Sequence, residues 1–362
     1  MHYQIGGIVL YSEVALQSFG DFICDSVKAD VVLKETEDLP STGSENTSGN
    51  IVQRKVPGGW FYHLINTDQS GLWVLNNYET LLIKGENRGY VSFAEEGLVR
   101  MALECMLVRH GFVSLHAACI NLDREAIAFS GPSGIGKSTR AKSWMKTFDA
   151  ELISGDRPLI DVRNLKVYGV PWDGKEKCYR NARYQLKYIC EVRRSDGMVY
   201  VRKMSFEQRR RLLMRQCFMP MWDTETAAIQ MMNIACLAKN AEIIRVFCGR
   251  NERDAIEARK LMFEKRFKEE AQDMKAKSGF VLRNIVDEYI LMPTGDNIGK
   301  FKGTLLLNEV SAYIWEKLQN PVSRDDLLAA IISEYEVSEE IAAKDLDVLL
   351  TQLREFGVIE DD

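Results

Sequence analysis

One octapeptide constrains this chain more than any other feature: Gly131-Pro132-Ser133-Gly134-Ile135-Gly136-Lys137-Ser138, which fits the pattern G-x-x-x-x-G-K-[ST]. Its glycines let consecutive backbone N–H groups converge on one point. An apolar run at 126–129 precedes it and a helical segment over Lys137–Phe148 follows it, which puts that point at a helix N-terminus, where peptide dipoles favour an anion. The pattern therefore predicts a phosphate-binding turn between a strand and a helix. In such a turn Pro132, Ser133, Gly134, Ile135 and Gly136 form the backbone cradle and Lys137 reaches the β/γ-phosphates. Ser138 offers a hydroxyl to Mg²⁺, and Thr139 adds a contact near the phosphates.

The surrounding pattern extends the turn into a domain. Apolar runs at 113–120, 126–129 and 152–153, separated by the Gly-rich turn and the helical segment, follow the strand, loop, helix, strand order of an α/β nucleotide-binding core. Runs at 158–162 and 166–170 on either side of Arg163-Asn164 read as a hairpin, so the sheet is expected to be mixed. The first hundred residues read as short strands (5–11, 31–33, 59–65, 72–76) broken by a polar stretch at 35–50, a β-rich lobe with one mobile loop. Residues 205–265 read as helical. The charged run 263–277 has no clean apolar face and marks a boundary.

Beyond the boundary, strands are expected at 281–284, 288–292 and 303–307, followed by three helices. The first opens at Asn308 and the second at Ser323, with Asp326 in a capping-box-like pair; the third starts near Ser338. This last helix is expected to bury Ile341, Leu346, Leu349, Leu350 and Leu353 and to stop at Gly357. The expected organisation is a β-rich N-terminal lobe (1–95), a phosphate-loop domain (96–265), a linker (266–278) and a winged-helix-like unit (279–362), α/β in class.

Composition narrows the setting. At 362 residues with 46% apolar content the chain can bury two or three cores. Its eight cysteines are dispersed without a Cys-x-x-Cys, which fits free thiols in a reducing cytosol rather than a disulfide framework or a zinc site. No stretch approaches the ~18 apolar residues of a membrane span, and no basic segment precedes an apolar run at the N-terminus, so a cytoplasmic protein without a membrane partner is expected. The net charge of −5 hides an asymmetry: residues 279–362 hold 7 Lys+Arg against 17 Asp+Glu, or −10, leaving +5 for the first 278. A module that acidic argues against nucleic acid as a partner, because it would repel phosphates.

Three further places bear on chemistry. Asp156, at the end of the strand expected at Glu151–Ser154, is placed where a carboxylate can face bound nucleotide and metal; the alternative is a turn residue, since Ser-Gly-Asp-Arg-Pro is good turn chemistry. His116, in the run before the loop strand, either points toward the phosphates or is a satisfied core histidine. Lys175, Arg180 and Asn181 form a basic loop that either neutralises phosphate or is merely solvated.

Taken together, Leu115-His116-Ala117-Ala118, the glycine loop through Thr139, Leu152-Ile153-Ser154-Gly155-Asp156-Arg157 and Gly174-Lys175 with Arg180-Asn181 resemble the HPr serine kinase family, and more closely its relatives that phosphorylate ribosomally made peptides. The resemblance covers residues 1–262. It implies a phosphoenolpyruvate-carboxykinase-like core, ATP and Mg²⁺ as cofactors, Asp156 as general base and, with Ser138, metal-side ligand, and His116 and Lys137 as catalytic-site residues. It also carries the family's homo-oligomeric habit, which the fused C-terminal unit opposes. The family shows two adjacent aspartates where this chain has Gly155 and Asp156; if the family's base is the first of the pair, Asp156 serves only the metal.

Residues 279–362 resemble PqqD-like domains that bind the leader of a precursor peptide as an added strand, on Asn308-Glu309-Val310-Ser311-Ala312-Tyr313-Ile314-Trp315 and Leu353-Arg354-Glu355-Phe356-Gly357-Val358-Ile359. The two resemblances imply a kinase acting on a Ser or Thr hydroxyl of a precursor peptide recruited through its leader, in a cleft between the strand at 303–307 and the last helix. The alternative is a kinase of a small molecule such as serine, or of an HPr-like carrier, with a regulatory C-terminal domain. A DNA reader is opposed by Glu339, Glu340, Asp345, Asp347 and Glu355 on the last helix. A silent scaffold would require Asp156 to be inert.

Overall fold

The computed structural model describes residues 1–38, 40, 44–48, 50–65, 70–75, 78–86, 89, 91–172, 179–195, 198–267, 273–285, 288–299 and 304–361. The chain divides into two compact units, Met1–Lys268 and Glu269–Asp362. It is a mixed α/β structure with several sheets.

The first unit opens with an eight-stranded sheet, in the order His2–Ile5, Ile8–Ser12, Val31–Glu35, Thr80–Lys84, Gly71–Leu75, Gly59–Leu64, Ile51–Val56, Ser44–Ser48. The single strand expected at 5–11 is instead a hairpin. Gly6 and Gly7 have φ of +60° and +90°, and that left-handed pair reverses the chain so that Ile5 faces Ile8. The polar stretch at 35–50 likewise contains a strand, Ser44–Ser48, paired with Ile51–Val56. The helix Phe93–Arg109, started by a capping box between Ser92 and Glu95, covers the sheet. Leu98, Val99, Ala102 and Met106 pack with Tyr62, Leu72, Val74 and Leu81.

The second sheet has nine strands and carries the glycine loop. Its order runs Glu151–Ser154, Ala117–Leu122, Glu125–Ser130, Arg183–Arg193, Lys166–Tyr168, Leu159–Asp161, Phe112–Ser114, with Ile243–Phe247 and Tyr200–Lys203 added beside Arg183–Arg193. The sheet is mixed: Glu125–Ser130 is antiparallel to Ala117–Leu122 and parallel to Arg183–Arg193. Strands from the two ends of this order belong to the same two stretches of chain, 112–122 and 151–161, which pair antiparallel at both Cys119↔Ser154 and Ser114↔Leu159. The sheet therefore folds back on itself, and His116 and Asp156 lie where the two halves meet.

Alternation along the loop strand fills both faces. Ile127 and Phe129 meet Ala141, Trp144, Ala255 and Met262 of the helices Lys137–Phe148 and Glu252–Phe263. The small Ala126 and Ala128 lie in the opposite core, with Leu213, Ile234 and Leu237 of the helices Phe206–Gln216 and Thr224–Asn240. The helical reading of 205–265 is thus corrected at Ile243–Phe247, whose five residues are all buried as a central strand. A run of Ile-Ile-Arg-Val-Phe is too short for a helix and β-branched enough for a strand covered on both faces.

In the second unit, Phe280–Ile285, Glu288–Pro293 and Leu305–Leu307 form one sheet, followed by the helices Glu309–Lys317, Arg324–Glu334 and Glu339–Glu355. Asn308, Ser323 and Ser338 cap them as expected, and Gly357 ends the last with φ of +68°. Two expectations fail. The linker reading of 266–278 stops at Asp273, because Asp273–Ala276 is the middle strand of a second sheet between Val322–Ser323 and Ile359–Asp361, with Met274 in the core. Ile341 is 56% exposed rather than buried: Ala342, Leu346, Leu350 and Leu353 define the core stripe, and Ile341 lies one residue off it. No helix among the described residues is long and apolar enough to cross a membrane.

Candidate functional site

The glycine loop leaves the buried strand Glu125–Ser130 and enters the helix Lys137–Phe148 through three left-handed glycines, Gly131, Gly134 and Gly136. A Cβ on Gly136 would stand 2.8 Å from Arg140 Nη1, so that position has neither the space nor the backbone angle for a side chain. A Cβ on Gly134 would meet nothing within 4 Å, which marks the open side of the loop. The helix begins with no side-chain cap and no acid in its first turn, leaving its first N–H groups turned outward. Lys137 is buried, and its Nζ donates to Gly131 O at 2.9 Å and Pro132 O at 3.1 Å. Burial lowers the pKa of this ammonium and nearby Asp156 opposes the shift. Ser138 and Thr139 are exposed at the helix start.

Sequence reasoning missed the residue that fixes this loop. Arg140 is 2% exposed, and its guanidinium donates to Ile135 O at 2.9 Å, Gly136 O at 3.3 Å, Arg193 O at 3.3 Å, Cys248 O at 2.5 Å and Cys248 Sγ at 3.2 Å. It ties the loop to the ends of two neighbouring strands. A single arginine on a helix gives no local sign of that role, because every partner outside its own turn is remote in sequence.

Next to the loop stand His116 and Asp156. His116 N donates to Gln216 O and Ala117 N to Asp156 O, both at 2.8 Å, and His116 Nε2 lies 3.3 Å from Asp156 Oδ1 with both side chains about one-third exposed. Burial is the main cause that lowers the His116 pKa, followed by the Lys137 charge; Asp156 pulls it the other way, Arg157 again lowers it, and the Gln216 side chain raises it. A neutral imidazole beside the Asp156 carboxylate is the form that burial favours.

The structure brings the glycine loop, Lys137, His116 and Asp156 together, and leaves Arg180 and Asn181 elsewhere. Arg180 is paired with Glu151 at 2.6 Å, at the opposite end of the strand Glu151–Ser154 from Asp156. Asn181 donates to Asp21 O at 3.0 Å. Gly174 and Lys175 lie outside the described residues. Between the helix Lys137–Phe148 and the start of the helix Glu252–Phe263 an open groove of about 610 Å³ is lined by Thr139, Lys142, Ser143, Lys146, Arg250, Asn251, Glu252 and Arg253. Lys146 and Glu252 form an ion pair across it.

In the second unit the strand Leu305–Leu307 is an edge of its sheet, paired through Leu306↔Ile290 on one side, and Leu306 is 67% exposed. Residues 288–359 match the family model of coenzyme PQQ synthesis protein D (PqqD). They form a PqqD-like domain. Two solved structures are similar to this chain: TbiB1 in complex with the TbiA(beta) leader peptide, 24% identical over 24% of this chain and 94% of that chain, TM-score 0.21; and lasso peptide synthetase B1 complexed with the leader peptide, 24% identical over 24% of this chain and 96% of that chain, TM-score 0.21. No curated protein matches the chain.

Proposed function

We propose that this protein is an ATP- and Mg²⁺-dependent kinase that phosphorylates a Ser or Thr hydroxyl of a ribosomally made precursor peptide, held through its leader by the PqqD-like domain. The observation that carries the reading is the juxtaposition of a glycine loop with outward N–H groups and a carboxylate whose Oδ1 lies 3.3 Å from a histidine Nε2, both on one sheet. A polyphosphate with its hard divalent cation suits this donor set of backbone N–H groups, one ammonium, one hydroxyl and one carboxylate. ATP with Mg²⁺ supplies the electrophilic terminal phosphoryl group. The loop and Lys137 hold the phosphates, and the basic groove from Thr139 to Arg253 takes the nucleoside end. Ser138 and Asp156 offer oxygen to the metal side. Asp156 takes or orients the proton of the acceptor hydroxyl, and His116, its Nε2 3.3 Å from Oδ1, stands beside that carboxylate.

The PqqD-like domain supplies recruitment. Leu305–Leu307 offers the free backbone of an edge strand, on which an extended leader adds by hydrogen bonding while its alternate side chains are selected. Tethering raises the concentration of the distal hydroxyl at the site. Mass spectrometry of precursor peptides encoded beside this gene, after incubation with the protein, ATP and Mg²⁺, tests the reading. The expected result is a phosphoryl mass increase that Asp156→Asn abolishes and that weakens when the leader is removed. Phosphorylation of free serine or an HPr-like carrier instead would replace the peptide as substrate, and no transfer to any acceptor would reduce the chain to a binding protein.

A further inference from the structure

One cation beside the glycine loop has no role in the reading above. Leu115 N donates to Pro158 O at 3.1 Å and Ala117 N to Asp156 O at 2.8 Å. These bonds frame an antiparallel pair in which His116 and Arg157 stand directly opposite each other. Directly opposed residues send their side chains to the same face, with Cβ atoms about 5 Å apart. The register is fixed from both ends, by Ser114↔Leu159 and Cys119↔Ser154. On the other side of His116, the pairing Ala117↔Ser130 brings the chain to Gly131 one step further on. Arg157, His116 and the first residue of the glycine loop therefore form a row across the sheet.

Arg157 is half-buried, and its guanidinium makes no hydrogen bond or ion pair with the described residues; its only bond is from backbone N to Ser154 Oγ at 3.1 Å. Its charge is nonetheless felt, lowering the pKa of His116 and, against burial, that of the Cys217 thiol. Arginines nearby have partners: Arg193 and Arg245 of the sheet share Glu191 at 2.8 and 2.6 Å, and Arg140 of the helix has its carbonyls. A partly desolvated guanidinium in the row that ends at the glycine loop, with no acid partner among the described residues, is suited to receive an anion.

We infer that Arg157 is a further residue of this site and donates to the terminal phosphoryl oxygens of the bound nucleotide, the part that ADP lacks. The inference rests on the kinase reading, and binding can test the two separately. Full-length wild type, Arg157→Met and Arg157→Lys are titrated calorimetrically, in Mg²⁺, with a non-hydrolysable ATP analogue and with ADP. Arg157→Met is expected to weaken the analogue about tenfold or more, the size of a lost charge-assisted bond, while ADP stays within about twofold. Arg157→Lys, which keeps the charge without the fork, falls between. Retained ADP affinity certifies the fold. An unchanged preference for the analogue in Arg157→Met overturns the inference, as does equal weakening of both ligands. Wild type that binds neither nucleotide removes the kinase reading itself, and the role of Arg157 with it.

Discussion

The two units of this chain place their specificity in different parts of the polypeptide. In the first, the candidate site is made of particular side chains: Lys137 bonded to carbonyls of the glycine loop, Arg140 to the ends of two strands, and His116 with Asp156 set side by side. In the second, the feature proposed for partner binding is the backbone of a strand that is an edge among the described residues, with Leu306 exposed beside it. Charge separates them as well, +6 for residues 1–268 and −11 for 269–362. A side-chain site loses function to one substitution, whereas an edge strand loses it to a change of fold or of partner. The same comparison predicts which perturbations are severe and which are graded.

The sharpest test removes one atom's chemistry from the first unit. Asp156→Asn keeps the size and one oxygen of the side chain but not its charge or basicity, so initial rates of phosphopeptide formation are expected to fall by about 10²–10⁴. A mild loss would mean that the acceptor proton leaves by another route. A second substitution probes the second unit through its core. Trp315, 2% exposed among Leu327, Leu346 and Leu350, anchors the helical half of the PqqD-like domain. Trp315→Ala should cost about 3–5 kcal/mol, enough to unfold a marginal domain. Leader-peptide binding measured by fluorescence anisotropy should then disappear while ATP affinity remains, and loss of both would end the division of labour argued above. Third, Arg140→Met leaves carbonyls of the glycine loop without donors in a buried place, at a cost of about 1–3 kcal/mol read by urea denaturation, with nucleotide affinity falling alongside.

These expectations follow how much each part shows in sequence. The glycine loop and its helix were legible because the left-handed angles at Gly131, Gly134 and Gly136 admit little else, and the caps Asn308, Ser323 and Ser338 because a cap acts within one turn. Gly6-Gly7 was read through, although its φ values carry the same signal, because the apolar residues on both sides suggested one continuous strand. The long strand Arg183–Arg193 was invisible for another reason. Its first residues alternate in exposure and its last are buried throughout, since one end lies beside Lys166–Tyr168 and the other is enclosed between the loop strand and Ile243–Phe247. Arg140 and Arg157 gain their places from register and distant carbonyls, which no local pattern encodes.

The smallest effect concerns His116. Its pKa is lowered in the folded protein, chiefly by burial and by Lys137, while the unfolded chain keeps the ordinary value near 6.5. Below that value the unfolded chain binds the proton first, so protonation favours unfolding, and stability contributed by the neutral imidazole is present above pH ~6.5 and drains away as pH falls toward the lowered folded value. The side chain is 30% exposed, so solvent screens much of the interaction and the slope should be shallow. Urea denaturation of wild type and His116→Asn between about pH 7.5 and 5.5 isolates it: the wild type should lose more stability than the variant across that window. Equal slopes would place the imidazole effectively in water, where it could not influence the Asp156 carboxylate, and the histidine would then be a bystander in a site whose work is done by the loop, Lys137 and Asp156 alone.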